Sequence, residues 1–174
     1  MLKRPSIKTR LYNWTDQTFC IVMKSDKSER IVVGWREWVS LPDLNLHHIK
    51  AKIDTGARTS ALHAFSVKGY TKKGVHRVKF LIHPYQNRKD IVKECDARIV
   101  DRRMVSDSGG HKEKRYVILT TLVIGIEAWD IEITLTNRDT MKFRMLLGRT
   151  AMDRKIMVDP GRSFLVGKKP HTKG

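Results

Sequence analysis

Residues 51–64 read AKIDTGARTSALHA, with the tripeptide Asp54-Thr55-Gly56 after a short apolar stretch. Ala51-Lys52-Ile53 predicts a short strand that leads into Asp54. Taken alone, the tripeptide also fits an ordinary turn, in which Asp54 caps its own backbone and Gly56 supplies an unusual φ. The choice between a catalytic loop and a turn therefore depends on the rest of the chain.

A second element lies much further along the chain, at residues 145–149, which read MLLGR. In it, Leu146-Leu147 precedes Gly148, and Thr150 is expected to cap a short helix that reaches about Arg154. An apolar strand before the Asp-Thr-Gly tripeptide, a small alanine after it and this second element together favour a functional loop over an isolated turn.

This pair of elements, hydrophobic-Asp-Thr-Gly-Ala and Leu-Leu-Gly-Arg before a short helix, resembles the retropepsins, the homodimeric aspartic proteases of retroviruses. More closely, the chain resembles a bacterial retropepsin-like family labelled ATP-dependent zinc proteases, which also occurs fused or adjacent to ATP-grasp glutamate ligases. The segments that carry the resemblance are VGWREWVSLPDL at 33–44, KIDTGARTSALHA at 52–64, RYVILT at 115–120, WDIEITLTNRDTMKFRMLLGRTAM at 129–152 and VDPGRSFLV at 158–166.

The resemblance implies a mainly β fold, namely a retropepsin-like closed acid-protease barrel with one short C-terminal helix. It also implies three catalytic residues. Asp54 is the reacting carboxylate, Thr55 braces two paired loops through its hydroxyl, and Gly56 directs its N–H at the carboxylate. Residues Leu146, Leu147 and Gly148 are implied to pack beside this loop and support it.

The chemistry of aspartic peptidases requires two carboxylates. They lie so close that both cannot ionise together, so one stays protonated while the other helps to activate a water molecule. This chain contains a single Asp-Thr-Gly. The second carboxylate is therefore expected from a second copy across a two-fold axis, which makes the expected active form a homodimer.

Residues that flank the two elements are candidates for substrate contacts. Ala57, Arg58 and Arg149 are assigned to substrate binding, the two arginines because a guanidinium binds a carboxylate in forked geometry. The competing interpretation for either arginine is a structural ion pair with an acidic residue, Asp153, Asp159 or Glu132. His63 is interpreted as a satisfied, partly buried histidine.

Alternating apolar residues predict two hairpins. Residues 75–82 and 91–100 are expected to pair around His83-Pro84-Tyr85, and a second hairpin is expected to turn at Gly125. Residues 106–114, SDSGGHKEK, have the composition of an exposed, mobile loop that interrupts the sheet. Either this loop or residues 66–75 is predicted to be the flap over the substrate.

The length of 174 residues, 40% of them hydrophobic, suits one ordinary domain. We assign residues 1–30 to an N-terminal extension, residues 31–167 to the retropepsin-like domain and residues 168–174 to a disordered basic tail.

The formal net charge is +17, from 35 lysines and arginines against 18 acidic residues. Such a field attracts polyanions, so an acidic or glutamylated peptide or protein is the expected substrate, and an ATP-grasp glutamate ligase is a possible partner implied by the resemblance. The alternative function is a noncatalytic basic β-rich module that binds RNA, the ribosome or acidic proteins, although no nucleic-acid motif accompanies the charge.

The cysteine spacing and the apolar runs of the sequence disfavour a cysteine-based metal cluster, an oxidising compartment and a membrane-spanning protein. Cys20 and Cys95 are far apart and belong to no metal-binding cluster, so a reducing cytoplasmic setting fits best. No apolar run approaches the roughly 20 residues that cross a bilayer, so no membrane partner is expected.

The sequence lacks the motifs that the words "zinc" and "ATP-dependent" in the family label would require. The seven histidines show no His-Glu-x-x-His spacing and the chain has no Gly-x-x-x-x-Gly-Lys-Ser/Thr loop. We therefore expect no catalytic metal and no cofactor. A metal-dependent hydrolase with ligands scattered among the histidines is the weakest of the interpretations.

Overall fold

A computed structural model describes residues 30–85, 88, 90–106, 109–137 and 143–167. The N-terminal extension, apart from Arg30, and the tail at 168–174 lie outside these residues. The elements in chain order are β1 (Ile31–Gly34), β2 (Arg36–Leu41), a 3-10 turn (Pro42–Leu44), β3 (Leu46–Ile53), β4 (Ser60–His63), β5 (Phe65–Lys72), β6 (Val75–Ile82), β7 (Lys93–Ser106), β8 (Lys112–Ile124), β9 (Glu127–Thr136), β10 (Met145–Leu147), α1 (Arg149–Met152) and β11 (Ile156–Asp159).

Six strands close into a barrel. Their order around the ring is β2-β3-β10-β4-β9-β8, and β8 returns to β2 through the pairs Val39↔Ile124 and Ser40↔Val123. Among the described residues, α1 is the single α-helix. The expected mainly β fold, a closed barrel with one short C-terminal helix, is confirmed.

The barrel interior is filled by aliphatic side chains from every strand of the ring. In β9, Ile131 and Ile133 are buried in this core and alternate with Glu132 and Thr134, which point to the other face of the sheet. Full burial of one such aliphatic side chain stabilises the fold by about 2 kcal/mol. The same alternation supplies both the core and the polar face on which the candidate site lies.

Both predicted hairpins are present. β6 pairs with β7 in antiparallel fashion through partners such as Phe80↔Cys95, and β8 pairs with β9. Gly125 lies in the turn between β8 and β9 with φ +61°, a backbone conformation that glycine adopts without steric cost. Beyond β8, strands β7, β6 and β5 continue the sheet outside the closed ring.

The prediction that residues 106–114 interrupt the sheet as a loop was wrong at both ends of this segment. β7 runs as far as Ser106 and β8 starts at Lys112, and these two residues are cross-strand partners. Gly110 occupies the turn region with φ +80°. The polar composition is that of a long solvent-exposed hairpin rather than of a loop that interrupts the sheet, because cross-strand pairing satisfies the backbone groups whatever the side chains.

The two ends of the domain are joined by a parallel pair, β1 and β11, in which Ile31 lies opposite Ile156. A buried carboxylate reinforces this closure. Glu37, 0% exposed, accepts hydrogen bonds at Oε1 from the backbone N–H groups of Gly34 and Leu165, each at 2.7 Å. Its Oε2 accepts two longer bonds, at 3.4 Å, from Val166 and Gly167. Four backbone donors therefore share one acidic side chain.

Candidate active site

The two sequence elements lie side by side at one end of the barrel. β3 and β10 are parallel neighbours with Leu147 opposite Ile53, and the N–H of Asp54 donates to the carbonyl oxygen of Leu147 at 2.9 Å. Leu147 is fully buried, whereas Leu146 faces the region around Asp54. The sheet thus fixes the point at which the chain leaves β3 and enters the Asp-Thr-Gly loop.

The carboxylate of Asp54 is held by its own loop. Oδ1 accepts hydrogen bonds from the backbone N–H groups of Gly56 at 3.1 Å and Ala57 at 3.2 Å. Oδ2 lies 3.6 Å from Nζ of Lys52, and the Asp54 side chain keeps 24% of its surface exposed. Charge-assisted bonds to backbone donors fix the orientation of a carboxylate that still meets solvent.

Arg149, the first residue of helix α1, holds this loop in place through hydrogen bonds to its carbonyl oxygens. Nη1 of Arg149 donates to the carbonyl oxygens of Thr55 at 2.8 Å and Gly56 at 2.9 Å, and the N–H of Arg149 donates to Ala57 at 2.9 Å. Arg149 therefore contacts the loop itself, and none of the described ion pairs joins it to an acidic residue. Its assignment to substrate binding stays a prediction.

Gly148 allows the close approach of the helix to the loop. A Cβ at this position would lie 2.6 Å from the carbonyl carbon of Thr59, and the N–H of Gly148 donates to Oγ of Ser60 at 3.1 Å. The expected capping role of Thr150 was wrong. Gly148 is the N-cap residue of α1, while Oγ1 of Thr150 donates to the carbonyl oxygen of Arg58 at 3.1 Å.

A cavity of about 840 Å³ opens beside Asp54. Its lining includes residues 56–59 of the loop, Leu146, and the polar face of β9, namely Glu132, Thr134 and Thr136. Predicted site residues Asp54, Gly56, Ala57, Arg58 and Leu146 thus share one concave surface. Thr55, Gly148 and Arg149 lie outside the described lining, with Thr55 and Arg149 exposed and Gly148 buried.

The opposite wall of the cavity is the end of β7, residues 103–106. These residues belong to the β7–β8 hairpin, and Ser106 among them is the first residue of the predicted flap segment 106–114. Met104 is 62% exposed. Residues 66–75 form the β5–β6 hairpin and contribute nothing to the described lining. The β7–β8 hairpin therefore lies beside the cavity, and its role as a flap stays a prediction.

The cavity wall carries three arginines, Arg58, Arg103 and Arg115, which sequence reasoning identified only in part. Arg103 binds Glu132 through Nη1 at 2.6 Å. Hydrogen bonds to Glu132 and then Asp101 raise the pKa of the Arg103 guanidinium above its ordinary value. Glu132, the other carboxylate in the described lining, is thus engaged by an arginine of the same wall.

His63 lies in β4, 1% exposed, and is absent from the described lining of the cavity. It is more deeply buried than the partly buried histidine expected.

Across the described ranges, no group of three histidine, cysteine or acidic side chains converges as metal ligands would. No helix in the described part of the chain is long and apolar enough to cross a membrane.

Known proteins are similar to this chain in fold or in sequence. The crystal structure of Lpg0085, a protein of unknown function from Legionella pneumophila, superposes with a TM-score of 0.66 at 29% identity and covers 80% of this chain and 99% of its own. Probable alpha-L-glutamate ligases are also similar. Those of Shewanella pealeana and Desulfotalea psychrophila are 46% and 40% identical over 80% and 84% of this chain.

The chain spans 31% of the length of each of these two ligases. The similarity therefore concerns one part of each relative. Over residues 32–169 the sequence matches the family model described as retropepsin-like aspartic endopeptidase RimB. The match includes both the Asp-Thr-Gly loop and the Leu-Leu-Gly element that the barrel brings together, and it extends across the closed ring. The chain belongs to this RimB-like family of retropepsin-like proteins.

Proposed function

We propose that the protein is an aspartic peptidase whose active form is a homodimer with one Asp-Thr-Gly loop from each chain. The observation that carries the proposal is the Asp54 carboxylate, oriented by Gly56 and Ala57 and open to a cavity of about 840 Å³. A cleft of this size accommodates several residues of an extended peptide.

The reaction needs no group beyond the two carboxyls and a water molecule. The ionised carboxylate takes a proton from water as the water oxygen attacks the peptide carbonyl carbon, and the protonated partner donates its proton to the carbonyl oxygen. Collapse of the resulting tetrahedral intermediate breaks the C–N bond, and the departing nitrogen receives a proton from the carboxyl pair. The pair titrates as one unit.

Two features support assembly from two chains. Thr55 and Gly56 are exposed, so a second loop has room to approach Asp54 around a two-fold axis. Glu132, the other carboxylate lining the cavity, is bound by Arg103. A complete site therefore requires the Asp54 of a second chain.

The proposed substrate is an acidic or glutamylated peptide or protein. The net charge of +17 raises the local concentration of such a chain, with an effect that weakens as salt rises. The names of the relatives, probable alpha-L-glutamate ligases, motivate glutamate-rich substrates and a ligase as partner.

We place the protein in the cytoplasm, since a reducing compartment suits the free thiol of Cys95.

The test is hydrolysis of fluorogenic oligoglutamate peptides by the wild-type protein and by Asp54→Asn. The substitution keeps the shape of the side chain and removes its ionisable group, so we expect turnover to vanish while the sedimentation mass and thermal unfolding stay nearly unchanged. Specific activity should also fall when the protein is diluted below the dimer dissociation constant. Activity that survives in Asp54→Asn would refute the proposal.

The second candidate function is a noncatalytic module that binds RNA, the ribosome or acidic proteins through its basic surface. The charge favours it independently of the Asp-Thr-Gly loop. Tight, salt-sensitive RNA binding that Asp54→Asn leaves unchanged, with no peptide hydrolysis by the wild type, would favour this function.

A further inference from the structure

We propose that Arg115, together with Thr136, forms a subsite in the wall of the Asp54 cavity that binds a carboxylate of the substrate. This inference rests on the proposed function, and it assigns the preference for acidic side chains to particular residues rather than to overall charge. Neither residue belongs to the Asp-Thr-Gly loop or to the Leu-Leu-Gly-Arg element, although both lie in longer segments that carry the family resemblance.

Arg115 is unusual for an arginine because only 7% of its surface is exposed while it lines the cavity. Its Nε donates to Oε2 of Glu113 at 2.8 Å. No other side-chain hydrogen bond joins Arg115 to a described residue, so within that part of the chain its two Nη groups are open to another acceptor. A guanidinium enclosed in this way binds a planar carboxylate more strongly than an exposed one does, since water competes less.

The neighbouring arginine in the wall differs in this respect. Arg103 is the cross-strand partner of Arg115, and it is already bound by Asp101 and Glu132. Among the described residues its charge is balanced by two carboxylates, whereas Arg115 has one, Glu113, whose side chain is 43% exposed. An acidic ligand therefore gains more at Arg115 than at Arg103.

Thr136 provides an uncharged donor beside Arg115. It is 1% exposed and lines the same cavity, and its Oγ1 has no hydrogen-bond partner among the described residues. The β8–β9 pairing ends at Val117 opposite Thr134, and Arg115 and Thr136, each two residues beyond that pair, both line the cavity. A buried hydroxyl without a partner costs about 1–3 kcal/mol, which an arriving carboxylate oxygen would recover.

A site built in this way discriminates between glutamate and glutamine. The amide of glutamine has the shape of the carboxylate, but it offers a single acceptor oxygen and places an NH2 group against a cation. Sites whose buried polar groups match the substrate reject analogues that leave those groups unpaired. The subsite therefore predicts selection for charge and not only for side-chain length.

The experiment measures hydrolysis of a pair of peptides. Mass spectrometry first locates the bond that the wild-type protein cleaves in an oligoglutamate peptide, and each flanking glutamate is then replaced by glutamine. At one position, we expect Arg115→Met to raise KM for the glutamate peptide by about 10- to 100-fold, with a smaller change in kcat. The same variant should abolish the preference for glutamate over glutamine at that position.

Two further variants separate local recognition from other effects. Arg98→Met removes the same charge from an exposed position of β7 outside the described cavity lining, and it should keep the preference for glutamate. Thr136→Val removes only a hydroxyl and should raise KM several-fold, so it replaces Arg115→Met if that variant does not fold. Retention of the wild-type glutamate preference in a folded Arg115→Met, or an unchanged KM in Thr136→Val in its place, would overturn the subsite while leaving the peptidase proposal intact.

The subsite remains testable if the wild-type protein hydrolyses nothing. In the Asp54→Asn background, a fluorescein-labelled oligoglutamate peptide is titrated and its anisotropy is measured with and without Arg115→Met, or with Thr136→Val if that double variant does not fold. Weaker binding caused by the added substitution, with the oligoglutamine peptide unaffected, would support the subsite even though the proposed reaction had failed. Equal affinity in both proteins would overturn it.

Discussion

Nη1 of Arg149 lies 2.8 Å from the carbonyl oxygen of Thr55. The same nitrogen reaches the next carbonyl of the loop, so a cation from α1 fixes the backbone that orients Asp54. Arg149 acts on the carboxylate through this loop, which makes it a positioning residue in the proposed reaction.

We expect Arg149→Met to lower kcat by about 10- to 100-fold with little change in KM, because a small displacement of a catalytic group slows the chemical step more than binding. Steady-state kinetics on an oligoglutamate peptide would measure both constants. Arg149→Lys should recover part of the loss, since an ammonium still donates to a carbonyl oxygen. An unchanged kcat in Arg149→Met would contradict the positioning role, and Arg98→Met controls for the loss of one charge.

Replacing Glu37 by glutamine should destabilise the domain. The amide keeps one acceptor oxygen, but its NH2 group cannot accept from the N–H groups of Val166 and Gly167. We expect a loss of about 2 kcal/mol in the free energy of unfolding, measured by urea denaturation at 25 °C. Glu94→Gln, at an exposed pair with Lys79, should hardly change it. Equal effects of the two substitutions would argue against the buried closure.

Asp43 should make the stability depend on pH in the acidic range. The backbone N–H of Thr121 donates to its carboxylate at 2.7 Å, and this bond is the largest cause of a lowered pKa for Asp43 in the folded protein. The unfolded chain keeps the ordinary value of about 4. The stabilisation is therefore fully present above that value and is lost as the pH falls through the folded-state pKa.

The measurement for Asp43 is the urea midpoint between pH 3 and pH 7 for the wild type and Asp43→Asn. We expect the difference between the two proteins to shrink as the pH falls. A difference that stays constant over the whole range would show that the charge of Asp43 contributes nothing to it.

Cys95 should be chemically inert in the folded protein. Burial raises the pKa of its thiol to about 11, and only 4% of the residue is exposed. At pH 8 roughly one thiol in a thousand would be ionised even with free access. In Cys20→Ser, a chromogenic disulfide reagent should therefore label no thiol until urea is added. Rapid labelling of the native variant would contradict this placement of Cys95.

The sequence allowed the core of the candidate site to be predicted because its signals are local. Asp54 and Gly148 each stand in a short motif, and the turn at Gly125 follows from alternation on either side. Arg115 carried no such signal, because its significance depends on its burial and on a cavity lined by residues from five strands. The length of the β7–β8 hairpin was also missed, since the pairing of Ser106 with Lys112 overrides a composition typical of loops.

The shared carboxylate of Glu37 has a consequence for how this domain combines with others. It binds Gly34 near the first strand and Gly167 at the last described residue, so the points at which the polypeptide enters and leaves the domain lie close together. A unit with adjoining entry and exit points is inserted or appended without distorting its host, and circular permutation of such a unit is well tolerated. This geometry is compatible with the occurrence of a similar segment as 31% of the length of longer proteins, the probable alpha-L-glutamate ligases.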